Sequence, residues 1–139
     1  MQTFLPYPSF KESAAILDGK RLNKQSVECK QILNALTGRS KGWKNHPATK
    51  MWAGHEKALC EYAIEICQEC LARNFKNSLI SFFKEEIQKY PNTGNPSWLG
   101  NGSFHAAHRS NLMRKAPEHY IHYFGDIPDD LPYLWPTKK

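Results

Sequence analysis

Residues 17–36 read LDGKRLNKQSVECKQILNAL, and this stretch decides the fold class. Leu22, Ser26, Cys29, Leu33 and Leu36 recur at spacings of three and four, as the buried stripe of one α-helix requires. Ser9 or Ser13 is placed to cap a helix running on to about Leu36. Ahead of it, Pro6 and Pro8 oppose helix formation, so residues 1–10 are expected as an extended arm.

Working outward, the loop TGRSKGWKNHP carries the breakers Gly38, Gly42 and Pro47. Pro47 suits the first turn of a second helix, expected from about Ala48 to Arg73. Its apolar face is Met51, Trp52, Leu59, Tyr62, Ala63, Ile66 and Cys70. A third helix is expected over about 78–90, a fourth over about 103–115 and a shorter one at Pro117–Phe124, before the Pro-rich stretch DIPDDLPYLWP. No segment alternates with period two for long enough to argue a strand. The expectation is an all-α protein. Its 139 residues form a single compact helical domain with an extended N-terminal arm and an irregular Pro/aromatic C-terminal tail.

The formal net charge is +6, and the excess is local. Between residues 20 and 50, Lys20, Arg21, Lys24, Lys30, Arg39, Lys41, Lys44 and Lys50 face one acid, Glu28. The segment from Glu56 to Glu86 is Glu-rich, so the cations gather on one face, which suits a polyanion such as nucleic acid. No apolar run approaches the ~20 residues that span a bilayer. The stretch MQTFLPYPSFKES has neither the basic nor the apolar region of a secretory signal. A cytoplasmic, nucleoid-associated protein without membrane contact is expected. Cys60, Cys67 and Cys70 share one helical stripe and read as buried thiols; no second CxxC or Cys/His cluster completes a four-ligand metal site.

Three places can carry chemistry. With Leu22 at the centre of the buried stripe and ~100° per residue, Arg21 and Glu28 fall on one boundary of it, and Lys24 lies just outward. A partly desolvated carboxylate among cations can move protons or stabilise a developing positive charge. An ordinary Lys24–Glu28 i,i+4 pair is the alternative. The loop holding Trp43, Lys44, Asn45 and His46 can grip phosphate and stack on a base, or Trp43 can pack inward while His46 caps the next helix. On the fourth helix, His105 and His108 stand i,i+3, compatible with a metal, but no carboxylate stands at a matching spacing and no metal is assigned. A phosphate-contacting surface from His108, Arg109, Arg114 and Lys115 fits the charge better, and so does a purely solvated face. No phosphate-cradling Gly-rich loop and no nucleophile elbow is present in the sequence.

Three stretches together resemble the pyrimidine-dimer DNA glycosylases, the UV-repair enzymes also called endonuclease V (not the deoxyinosine-specific nuclease). Leu17, Leu22 and Glu28 match the family's first-helix pattern of two leucines and a catalytic Glu. Lys41-Gly42-Trp43-Lys44-Asn45-His46-Pro47 is similar to a KGYxNHP signature at a matching distance from Glu28, and Trp52-Ala53-Gly54-His55 resembles the next block. Pro117, His119, Tyr120, Tyr123, Phe124 and Gly125 resemble the family's aromatic tail more loosely.

The resemblance implies an all-α fold and a DNA N-glycosylase with associated abasic-site lyase activity. An N-terminal α-amine attacks C1′ of a damaged pyrimidine nucleotide in double-stranded DNA, and Glu28 assists that step and the β-elimination. It implies no cofactor and no obligate protein partner. Two positions depart from the pattern. Gln2 stands where a small residue would allow trimming, so Met1 itself is expected to carry the amine; Val27 stands where the family has Arg before the Glu. Arg21 and Lys24 are the candidates to supply that charge. Lys20, Trp43, Lys44, Asn45, His46, His108, Arg109, Arg114 and Lys115 complete the expected DNA-binding set. Two rivals remain at this point: a non-catalytic nucleic-acid-binding helical module, and a metal-dependent nuclease using His46, His55, His105 or His108.

Overall fold

The computed structural model describes residues 2–125 and 127–136. Among these, seven α-helices and no strand are present: α1 (Phe10–Ile16), α2 (Gly19–Leu36), α3 (Pro47–Lys50), α4 (Glu56–Ala72), α5 (Ile80–Glu86), α6 (Gly102–Lys115) and α7 (Pro117–Phe124). A 3₁₀ turn, Ile87–Lys89, extends α5. Helix α4 lies at the centre, packed by α1, α2 and α5. Its fully buried Leu59, Tyr62, Ala63 and Ile66 share a core with Leu22, Cys29, Ile32 and Leu33 of α2.

The helix expected to run unbroken to Leu36 is two helices. Ser9 caps the first, its Oγ accepting from Glu12 N–H at 3.1 Å. Leu17 and Asp18 are extended, with ψ of 139° and 154°. Asp18 then caps α2 by accepting from Arg21 N–H. A short polar side chain competes with helical backbone pairing and starts a new helix instead. Tyr120 of α7 fixes the corner: its hydroxyl donates to Asp18 Oδ1 and accepts from Asp18 N–H at 2.9 Å.

The second helix is also divided. α3 ends at Lys50, and Gly54 takes φ +82°, a left-handed conformation that suits glycine. The intervening turn is held by tertiary contacts: Trp52 Nε1–H donates to Thr3 Oγ1 and Trp98 Nε1–H to Met51 O, both at 3.0 Å. All four cysteines are free and buried. Burial pushes the Cys60 and Cys67 thiols up to about 12, leaving them unreactive at neutral pH.

The N-terminal arm is extended yet buried from Gln2 to Pro6. The tail is irregular over the described residues 127–136, and its Leu131 is pinned to α6. Leu131 N–H donates to Ser110 Oγ at 3.0 Å, while its carbonyl accepts from Asn111 Nδ2 at 3.3 Å and Arg114 Nη2 at 3.0 Å. No helix among the described residues is long and apolar enough to cross a membrane.

Candidate active site

Gln25 and Ser26 are the buried polar residues of α2, and the Gln25 amide organises the region. Its Oε1 accepts from Phe4 N–H and lies against the Tyr62 hydroxyl, both at 2.8 Å. Its Nε2 donates to Gln2 O at 2.7 Å and to Glu28 Oε1 at 3.1 Å. One amide therefore joins the start of the arm to the carboxylate one turn further along α2. The buried Tyr62 hydroxyl, whose pKa burial raises well above its ordinary value, stays protonated and donates within this cluster.

Above the cluster opens a cavity of about 320 Å³. Gln2 and Phe4 of the arm line it, together with Glu28 and a ring of cations: Lys20, Arg21, Lys24 and Lys115. Tyr133 of the tail forms the remaining wall. Glu28 and Arg21 are half-buried and Lys24 exposed, the order that the helical geometry predicts. The i,i+4 pair of Lys24 with Glu28 does not form. Arg21 instead pairs with Asp18 at 3.2 Å, and no ion pair joins Glu28 to another described residue. A carboxylate that accepts one hydrogen bond among the described residues, beside Lys20, Lys24 and Lys115 that make no ion pair among them, keeps lone pairs free for a ligand. Val27 is half-exposed and is not one of the cavity walls, so the positive charge here comes from Lys20, Arg21 and Lys24 earlier on α2 and from Lys115.

Gln2 Oε1 accepts from Thr3 N–H at 2.8 Å, whereas its buried Nε2 meets no acceptor at bonding geometry among the described residues. Met1, expected to bear the amine, lies outside the described residues.

The basic loop stands apart. Trp43 has φ +67° and is 47% exposed, so it does not pack inward. Lys44 and Asn45 are exposed beside it. His46 caps α3, its Nδ1 accepting from Ala48 N–H at 3.0 Å, and burial lowers its pKa.

The expected phosphate surface on α6 requires correction. His108 is fully buried, and its Nδ1 accepts from Leu5 N–H at 2.9 Å. His105 Nε2 accepts from Gly100 N–H at 2.9 Å, so its protonated Nδ1 donates to Leu5 O at 2.7 Å. The two imidazoles clamp both backbone groups of Leu5, which explains their i,i+3 spacing. Desolvation pushes His108 down to about 3 and also lowers His105. Arg109 donates to Pro6 O at 2.8 Å and Arg114 holds the tail; only Lys115 of this group lines the cavity. Among the described residues, no group of three or more His, Cys, Asp or Glu side chains is arranged to hold a metal.

The sequence model of the pyrimidine dimer DNA glycosylases matches residues 1–81, which include the arm, α1 to α4 and Glu28. The chain belongs to this family. Membership implies pyrimidine dimer DNA glycosylase activity and a DNA substrate in repair. Neither the curated proteins nor the solved structures return a match.

Sequence reading overlooked Gln25, Phe4 and Tyr133, and marked Gln2 only as a departure from the family pattern. A signal existed for Gln25: a long polar side chain beside a largely apolar stripe must find buried partners. Nothing in the sequence ties Tyr133 to Glu28.

Proposed function

We propose that this glycosylase cleaves the N-glycosylic bond of a damaged pyrimidine in duplex DNA and then breaks the strand at the resulting abasic site. The α-amine of Met1 attacks C1′, the base departs, and an imine forms. Glu28 stabilises the cationic sugar and takes up and returns protons, and loss of the C2′ proton expels the 3′ phosphate by β-elimination. An α-amine has an ordinary pKa near ~7.7–8.0, so part of it is free nucleophile at neutral pH. The cations around the cavity, with Lys44 and Asn45 of the loop, grip the phosphates. The whole chain acts as one catalytic domain, at the nucleoid.

The observation that carries this reading is the Gln25 amide, which donates to both Gln2 O and Glu28 Oε1. It anchors the arm, one residue from its amine, beside the carboxylate. Borohydride trapping on an abasic-site duplex tests it. A covalent adduct with the wild-type chain that disappears in Glu28→Gln is expected. Absence of strand cleavage on both abasic and UV-irradiated duplex would overturn it.

A further inference from the structure

The cavity volume of about 320 Å³ is at the small end of the ~300–1,000 Å³ range of ligand sites. A base drawn out of the duplex needs a surface to receive it. Such a surface begins at the cavity wall. Tyr133 lies tilted against Trp135, and Trp135 and Trp43 each meet the His46 ring edge-on, with centroid separations of 5.4, 5.9 and 5.5 Å. The row leads from the Glu28 cavity to the exposed basic loop. Its rings are half-buried or exposed, and Trp43, at 47% exposure, is the most open apolar group in the loop.

We propose that Tyr133 and Trp135 of the tail, with His46 and Trp43, form a stacking shelf for a nucleobase drawn out of the duplex next to the cavity. This rests on the glycosylase reading above and extends the site to residues beyond the span shared with the family, 1–81. Three features favour a base as the occupant. Aromatic faces stack on any base, whatever its hydrogen-bonding edge. Charge complements the strand at both ends, from Lys44 beside Trp43 and from Arg21 and Lys115 at the cavity. His46 adds no charge of its own at neutral pH, since burial keeps its pKa below the ordinary value. The shelf is also positioned from outside itself: three hydrogen bonds hold Leu131, two residues before Tyr133, to α6.

The test is binding by the full chain carrying Glu28→Gln, so that no turnover intervenes. Affinity is measured for a duplex with one cyclobutane pyrimidine dimer and for the same duplex undamaged, at two salt concentrations. Tyr133→Leu and Trp135→Leu should each reduce the ratio of the two affinities about tenfold, the loss of one base–aromatic stack. The salt slope should persist, because no phosphate contact is removed. Tyr133→Phe and Trp135→Phe should restore most of the ratio, and Trp43→Leu, on the exposed loop, should lower it without touching the tail. An unchanged ratio in all three Leu variants would refute the shelf, as would Phe variants no better than Leu. If the Glu28→Gln parent shows no preference for the dimer, the glycosylase reading fails first and the shelf with it.

Discussion

Glu86 on α5 accepts from Arg39 Nη2 at 2.6 Å, Lys89 Nζ at 2.7 Å and the Tyr90 hydroxyl at 3.0 Å. Glu28 on α2 accepts from Gln25 alone among the described residues. Burial raises the pKa of Glu86, but the hydrogen bonds from Lys89, Arg39 and Tyr90 outweigh it and hold the carboxyl below its ordinary value. Three of its roughly four acceptor sites are taken from within the fold, and its charge stabilises the α5 end of the molecule. Cations also surround Glu28, yet Arg21 is turned to Asp18, and the lysines along the cavity form no ion pair among the described residues. The difference separates a carboxylate used for structure from one left open to a ligand. Proximity to positive charge does not distinguish them; the number of lone pairs already occupied does.

Exchanging each acid for its amide breaks this contrast most sharply. Glu28→Gln should reduce single-turnover base release roughly 10³-fold, the scale of lost acid–base and electrostatic catalysis, with stability within about 1 kcal/mol of wild type. Glu86→Gln should do the reverse, costing about 2 kcal/mol in urea unfolding with little change in turnover by the folded fraction. Equal effects on both properties in both variants would erase the distinction.

Gln25→Leu comes next. It removes the link from the arm to Glu28 and strands Phe4 N–H and Gln2 O, so about 2 kcal/mol of stability should be lost. Turnover of the folded fraction should fall roughly a hundredfold, mostly in kcat, because a misplaced amine is a geometric fault.

A pH series sharpens the comparison from the other side of the arm. The folded His108 value, about 3, lies below the ordinary 6.5, so the unfolded chain takes up the proton first. The stability contributed by neutral His108 is complete above about pH 6.5 and is lost as pH falls toward 3. The slope should approach ~1.4 kcal/mol per pH unit. Thermal unfolding of His108→Asn, whose Oδ1 can still accept from Leu5 N–H, should show a flatter acid limb.

The smallest effect is expected from Lys24→Ala, a weakening of DNA binding by a few-fold with the salt slope reduced by about one. A slope change of zero would place Lys24 off the phosphate path.

The helical class was legible because the spacing of Leu22, Cys29 and Leu33 depends only on backbone geometry. The two interruptions were not. Asp18 and Gly54 break their helices with help from Tyr120, Thr3 and Trp98, partners distant in sequence. The boundary position of Glu28 and Arg21 followed from the same periodicity, but the family pattern was needed to favour catalysis over an ion pair. His105 and His108 were misread because their partner, Leu5, is about a hundred residues away, and two histidines one turn apart look the same whether they face phosphate, metal or backbone. Tyr133 reaches the cavity through the anchoring of Leu131, a contact with no local signature.

The clamp on Leu5 also imposes an order on synthesis. Leu5 N–H bonds to a histidine 103 positions later in the chain. At ~5–20 residues per second, the arm waits roughly 5 to 20 s before its docking partner has been translated. During that interval the nascent chain can form the α2–α4 core, whose pieces are closer in sequence, but the arm has no imidazoles to receive it. The arm therefore gains its second anchor only after α6 has emerged, and a ribosome-bound fragment ending before His105 should be helical yet without glycosylase activity.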